Sequence, residues 1–132
     1  MNQVVAHYLD GRLVKGTTNN FLPGKDRFHL LASGQTIQAK PTEVLLVDLK
    51  ALFFVKDLRG NPNLEEKTQF DPGKVLPGRK IRVVFKDGEV LVGTTQGYQP
   101  GRPGFFVVPL DERSNNERCF IVSSSTQAIN LL

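Results

Sequence analysis

Tryptophan is absent, cysteine and methionine occur once each, and histidine occurs twice. With Cys119 as the only cysteine, no intrachain disulfide can form, and a cytoplasmic setting is expected. Cys119 itself reads as a small strand hydrophobe, not a nucleophile. His7 and His29 stand alone, so no His/Cys cluster has metal-ligand spacing and no metal or other cofactor is expected. Long apolar runs are also lacking. A stretch such as 51–55 is far too short to cross a bilayer, and the first residues lack a basic segment followed by an apolar one. Neither a signal peptide nor a membrane partner is therefore expected. Glycines recur between Gly97 and Gly104, but Pro100 and Pro103 remove N–H groups that a phosphate cradle needs. Glu65 and Glu66 are adjacent and read as solvated surface. No catalytic set assembles, and the chain is expected not to be an enzyme.

What is present is a repeat. Asp10-Gly11 returns as Asp87-Gly88, an offset of 77 (87 less 10). Without a gap at that offset, Gly16-Thr17-Thr18 meets Gly93-Thr94-Thr95, Pro23-Gly24 meets Pro100-Gly101, and Phe28 meets Phe105. Most other positions keep their chemical class, as with Phe21 and Tyr98 or Lys25 and Arg102. Such self-similarity means two copies of one folding unit.

Each copy reads as β structure. Ile81, Val83 and Phe85 alternate with Arg82, Val84 and Lys86, then Asp87-Gly88 precedes Val90-Leu91-Val92. Asp-Gly between alternating runs signals a hairpin, and a primed turn there requires positive φ. The first copy repeats this around Asp10-Gly11, and Gly16 and Gly93 fall inside the second strand, where glycine permits a sharp bend. Further strands are expected near 28–31, 44–47 and 52–55, and near 105–108, 120–123 and 129–132. The organisation is thus a first β unit over 1–55, a connection over 56–79, and a second β unit over 80–132. The connection is rich in turn formers. A short helix over 64–70, capped by Asn61 with Pro62 in its first turn, and a solvated linker are both open readings. Five strands alone bury little surface, so the copies are expected to pack together or share strands. The fold class expected is mainly all-β.

The order strand, Asp-Gly hairpin, bent strand and three further strands resembles the small SH3-like and Sm-like barrels. The likeness to the first Sm motif is carried by residues 83–94, and by Asp10, Gly11 and Gly16 in the first copy. It implies two tandem five-stranded barrels. The Sm RNA site is not carried over. Asp26-Arg27-Phe28-His29 and Pro103-Gly104-Phe105-Phe106 lack the Asn, while Leu49-Lys50-Ala51 and Thr126-Gln127-Ala128 replace the basic-Gly-acidic signature. The whole chain is also similar to an uncharacterised bacterial domain family, through residues 48–57, Arg102-Pro103-Gly104-Phe105-Phe106, and Ser114-Asn115-Asn116 with Arg118. That resemblance implies a bacterial cytoplasmic setting and a link with signalling or motility proteins.

Three patches are candidate sites. Arg113, Ser114, Asn115, Asn116 and Arg118 form a polar loop with no counterpart in residues 34–41, and loops on a rigid scaffold commonly carry partner contacts. Arg79 and Arg82 flank the start of the second copy and could hold a phosphate. They are similar to the arginine pair of cyclic-dinucleotide-binding domains, without the polar-Gly signature of those domains. Lys25, Arg27 and Arg102 lie in equivalent loops beside Phe21, Phe28, Tyr98 and Phe105, a pattern that suits single-stranded nucleic acid, although in-phase aromatics favour a core role. Net charge is +4, but the basic residues are spread along the chain. The reading favoured is a non-enzymatic module with a protein partner. Nucleic-acid or cyclic-nucleotide binding is the alternative, and exposed strand edges make self-association a further expectation.

Overall fold

A computed structural model describes residues 1–34, 40–60, 63–67 and 69–132. The strands are β1 (Asn2–Tyr8), β2 (Leu13–Thr18), β3 (Arg27–Ala32), β4 (Thr42–Leu45), β5 (Leu49–Val55), β6 (Arg79–Phe85), β7 (Val90–Thr95), β8 (Gly104–Pro109), β9 (Asn116–Val122) and β10 (Thr126–Leu131). One-turn 3-10 helices, Leu46–Asp48 and Ser123–Ser125, precede β5 and β10. All strands join one open antiparallel sheet in the order β10-β6-β7-β8-β9-β5-β1-β2-β3-β4. The all-β expectation holds. No helix among the described residues is long and apolar enough to cross a membrane.

The offset of 77 recurs in the strand pairings. Asn2 faces Thr18 as Arg79 faces Thr95, and Gly16 faces Ala32 as Gly93 faces Pro109. The register slip between His7 and Tyr8, where β1 meets β5, has its counterpart between Thr126 and Ala128, where β10 meets β6. Residues 1–55 and 80–132 are therefore successive halves of the sheet. The halves meet where β5 pairs with β9, with Leu52 opposite Phe120 and Phe53 opposite Cys119.

That junction explains why β5 is buried at every position, even at Lys50. Side chains alternate across a strand. Leu52 and Phe54 of β5, with Phe120 and Val122 of β9, enter one core beside Val4, Phe28 and Leu30. Ala51, Phe53 and Val55, with Cys119 and Ile121, enter a second core beside Ile81, Val83 and Phe85. The two cores lie on opposite faces at the junction, and both halves contribute to each. A fully buried side chain of this size contributes roughly 1.5–3 kcal/mol.

Two local expectations need correction. The hairpins form, but their turns are not primed, because only glycines have positive φ among the described residues. Gly11 N–H donates to Tyr8 C=O and Tyr8 N–H to Arg12 C=O, with the same pattern from Phe85 to Glu89. This is a type I turn closed by a left-handed glycine, Gly11 or Gly88, in a G1 bulge. The last two strands of each half also begin two to four residues earlier than expected, because a 3-10 turn separates them. Gly16 and Gly93 serve close approach: a Cβ there would run into the carbonyls of Leu31 and Val108. In the connection, residues 64–67, 69 and 70 form neither helix nor strand, while the cap proposed at Asn61 and Pro62 lies outside the described residues.

Candidate partner-binding cleft

The polar loop before β9 ties the connection to the sheet. Asp111 is buried, and its carboxylate accepts from Lys67 N–H at 2.9 Å, Arg113 N–H at 3.0 Å and Arg113 Nη2 at 2.8 Å. The Arg113 guanidinium and these N–H groups hold the Asp111 carboxyl far below the usual carboxylate range. Ser114 is fully buried, and its Oγ accepts from Asn116 N–H. Asn115 grips the start of the connection from both sides. Its Oδ1 accepts from Asp57 N–H at 3.0 Å, and its Nδ2 donates to Asp57 C=O at 2.8 Å. Lys56 reaches Glu112 C=O at 3.1 Å, and Lys74 pairs with Glu112 at 3.0 Å. The side chains of Arg113, Ser114 and Asn115 are occupied in this way, while Asn116 contributes its backbone N–H.

Arg118 is different. It is exposed on β9, and its guanidinium carbon lies 4.4 Å from the Phe54 ring centroid and 4.6 Å from that of Phe106. No carboxylate pairs with it among the described residues. Such stacking holds an arginine head in place while leaving its edge N–H groups free. Arg118 borders a cleft of about 480 Å³ formed mainly by β7, β8 and β9 of the second half. Phe105, Phe106 and Phe120 line it, Pro23 and Pro77 flank it, and Arg102 stands at its rim. Arg102 donates to Gln99 at 2.7 Å and has no acidic partner among the described residues. Phe105 and Phe120 form its buried floor, and half-buried Phe106 with exposed Val108 offers apolar surface beside two arginines that have no acidic partner among the described residues, a combination enriched at protein interfaces.

The other basic candidates divide. Lys25 and Arg102 line a second hollow of about 480 Å³, together with Val47 and Ser123. Arg27 sits beside Asp26 at 3.1 Å and Glu43 at 3.5 Å, so its charge is already met. Arg79 borders a separate small hollow beside Tyr98 and Leu131, and Arg82 is exposed on β6. The five residues do not form one patch. Phe28 and Phe105 are buried, while Phe21 and Tyr98 pack half-buried against the cores, so these aromatics present no stacking platform. Phe21 meets Phe120 at 5.0 Å and Phe106 at 6.2 Å between ring centroids, which locks the two halves together.

Sequence reasoning missed Lys50. Its ammonium crosses the junction to Asp87 at 2.8 Å and Glu89 at 2.9 Å, and lies 4.5 Å from the Phe85 ring centroid. Burial lowers its pKa, but bonding to the two carboxylates outweighs this and the net shift is upward. The available signal was a lysine inside the apolar run 49–55 together with Glu89 where the first copy has Arg12. His7 packs on Phe53 at 4.2 Å, and burial pushes its pKa down to about 4. His29 sits beside Asn20, its Nδ1 at 3.0 Å from the amide nitrogen. The Cys119 thiol is buried and pushed well up in pKa by that burial, so no thiolate is presented. Among the described residues, no three His, Cys, Asp or Glu side chains converge as a metal site.

No curated protein and no solved structure matches the chain. A family of unknown function, DUF6982, matches residues 1–132, and the chain belongs to that family.

Proposed function

We propose that this chain is a non-enzymatic interaction module whose cleft beside Arg102 and Arg118 takes a protein segment bearing apolar and acidic side chains. The observation that carries this reading is the pairing of Arg102 and Arg118, both without counter-ions, with the aromatic lining of that cleft. An apolar side chain would lie against the exposed Val108 beside Phe106, and a carboxylate would meet an arginine edge bidentately. The two halves act as Sm-like or SH3-like barrel units that supply a rigid frame. The setting we assign is bacterial, cytoplasmic and concerned with signalling or motility, in keeping with the sequence resemblance. The test is affinity capture from native lysate, with and without nuclease, followed by mass spectrometry. A protein retained through nuclease treatment is expected. Capture of nothing but nuclease-sensitive material would overturn the reading.

One observation favours a second reading. Lys25 and Arg102 come from different halves yet share one hollow with Ser123, a placement that suits a phosphate of a nucleic acid or cyclic nucleotide. Binding of that kind would weaken steeply with added salt. Salt-independent or undetectable binding to oligonucleotides and cyclic nucleotides would remove it.

A further inference from the structure

The junction between the halves leaves its own equivalents unused. β5 of the first half pairs with β9 of the second. Moved by 77 positions, β5 becomes β10 and β9 becomes β4, and these two strands are the edges of the sheet. Neither has a second strand partner among the described residues. At the junction Phe54 and Val55 are buried, whereas their counterparts Leu131 and Leu132 are 36% and 60% exposed.

We propose that a second copy of this chain docks its β4 edge on the β10 edge of the first, repeating between chains the pairing that β5 and β9 make within one. Transferring the observed register places Ala128 opposite Val44, Ile129 opposite Glu43, and Asn130 opposite Thr42. The side chains that flank the junction change together at the free edges. Lys50 meets Asp87 and Glu89, while its counterpart Gln127 would meet Asp10 and Arg12, which already neutralise each other at 2.8 Å. A neutral amide suits that pair as an ammonium suits two carboxylates. Phe21 packs on Phe106 and Phe120. Its counterpart Tyr98 would face His29 and Glu43, where a phenol can donate to a carboxylate. The free edges are thus a more polar edition of the junction, without charge conflict. β4 has only four residues and follows Pro41, features that limit indiscriminate edge pairing. Association at this surface is therefore weaker than the covalent junction and rises with concentration.

The contact is heterologous: each copy offers one β4 and one β10. Its repetition closes a ring if the rotation between halves divides a full turn evenly, and otherwise runs on as a filament.

Two single variants, Thr42→Cys and Asn130→Cys, test this, because both positions are exposed and the native Cys119 is buried. Mixed in equal amounts and oxidised, they are expected to give one disulfide-linked dimer, while each alone stays largely uncrosslinked. Sedimentation of the unmodified chain is expected to show a mass that rises above 14.7 kDa with concentration. A concentration-independent monomer would overturn the proposal. So would crosslinking that is as efficient within either variant alone, or between Asn130→Cys and the register-shifted Glu43→Cys.

Discussion

Lys50 sits in a strand where every other side chain is apolar, and its ammonium meets two carboxylates that belong to the other half. Replacing it with Met removes both ion pairs but keeps the aliphatic stem. Because Asp87 and Glu89 remain half-exposed, they regain water, and the expected loss is about 1–2 kcal/mol, less than for a fully buried pair. Urea denaturation at pH 7 measures it, and an unchanged midpoint would contradict this role. His7 works in the opposite sense. Its folded pKa of about 4 lies below the ordinary 6.5, chiefly through burial, with Glu89 and Asp87 raising it and Lys50 lowering it. Between those values the unfolded chain binds a proton that the folded chain refuses. Stability is therefore full above pH 6.5 and declines as pH falls toward 4. His7→Val, which copies the sister residue Val84, is expected to flatten that slope in denaturation midpoints measured from pH 4.5 to 7. An identical slope in the variant would rule out His7 as its source. Asp57, held down to about 2 mainly by hydrogen bonds from Arg59, acts only at lower pH and does not blur this window.

At the scale of elements, the clasp between the loop and the connection is the feature least visible beforehand. Asn115 makes two hydrogen bonds to the backbone of Asp57, and Asn115→Ala is expected to cost about 1–3 kcal/mol and to speed proteolysis within residues 56–79. Wild-type protease resistance in the variant would contradict the clasp. The hairpins, the bent second strands and the phase of the repeat were legible because each depends on short-range rules: alternation, Asp-Gly, and a glycine where another chain segment approaches. The turn type was not, since Asp-Gly serves both a primed turn and a G1 bulge, and the flanking hydrogen bonds decide between them. The 3-10 turns were hidden because Leu46 and Val47 continue the apolar run of β4, although Val47 is 66% exposed. The site was less legible. Arg102 and Arg118 stood among the candidates, but nothing local says that Asn115 and Ser114 are consumed by the fold while Arg118 stays free. That distinction rests on contacts between residues more than fifty positions apart, such as Asn115 with Asp57.

At the scale of the molecule, alternation along β5 and β9 makes the two halves interdependent. Phe53 and Cys119 serve one core while Leu52 and Phe120 serve the other, so neither half can close its core alone. A single unfolding transition is expected, with Cys119 blocked to a thiol reagent until that transition and labelled at the same denaturant concentration where β structure is lost. Two separated transitions, or labelling of the native chain, would contradict a shared junction. The cleft is built by β7, β8 and β9 of the second half, and Pro23 of the first half and Pro77 of the connection complete its wall, so partner binding is assigned to the whole molecule and not to either half. The measurement that tests this most directly is a titration of the nuclease-resistant partner against the wild-type chain and an Arg102→Gln, Arg118→Gln double variant of matched melting temperature. Binding weaker by tenfold or more in the variant is predicted. Equal affinity would show that the cleft is not where the partner sits.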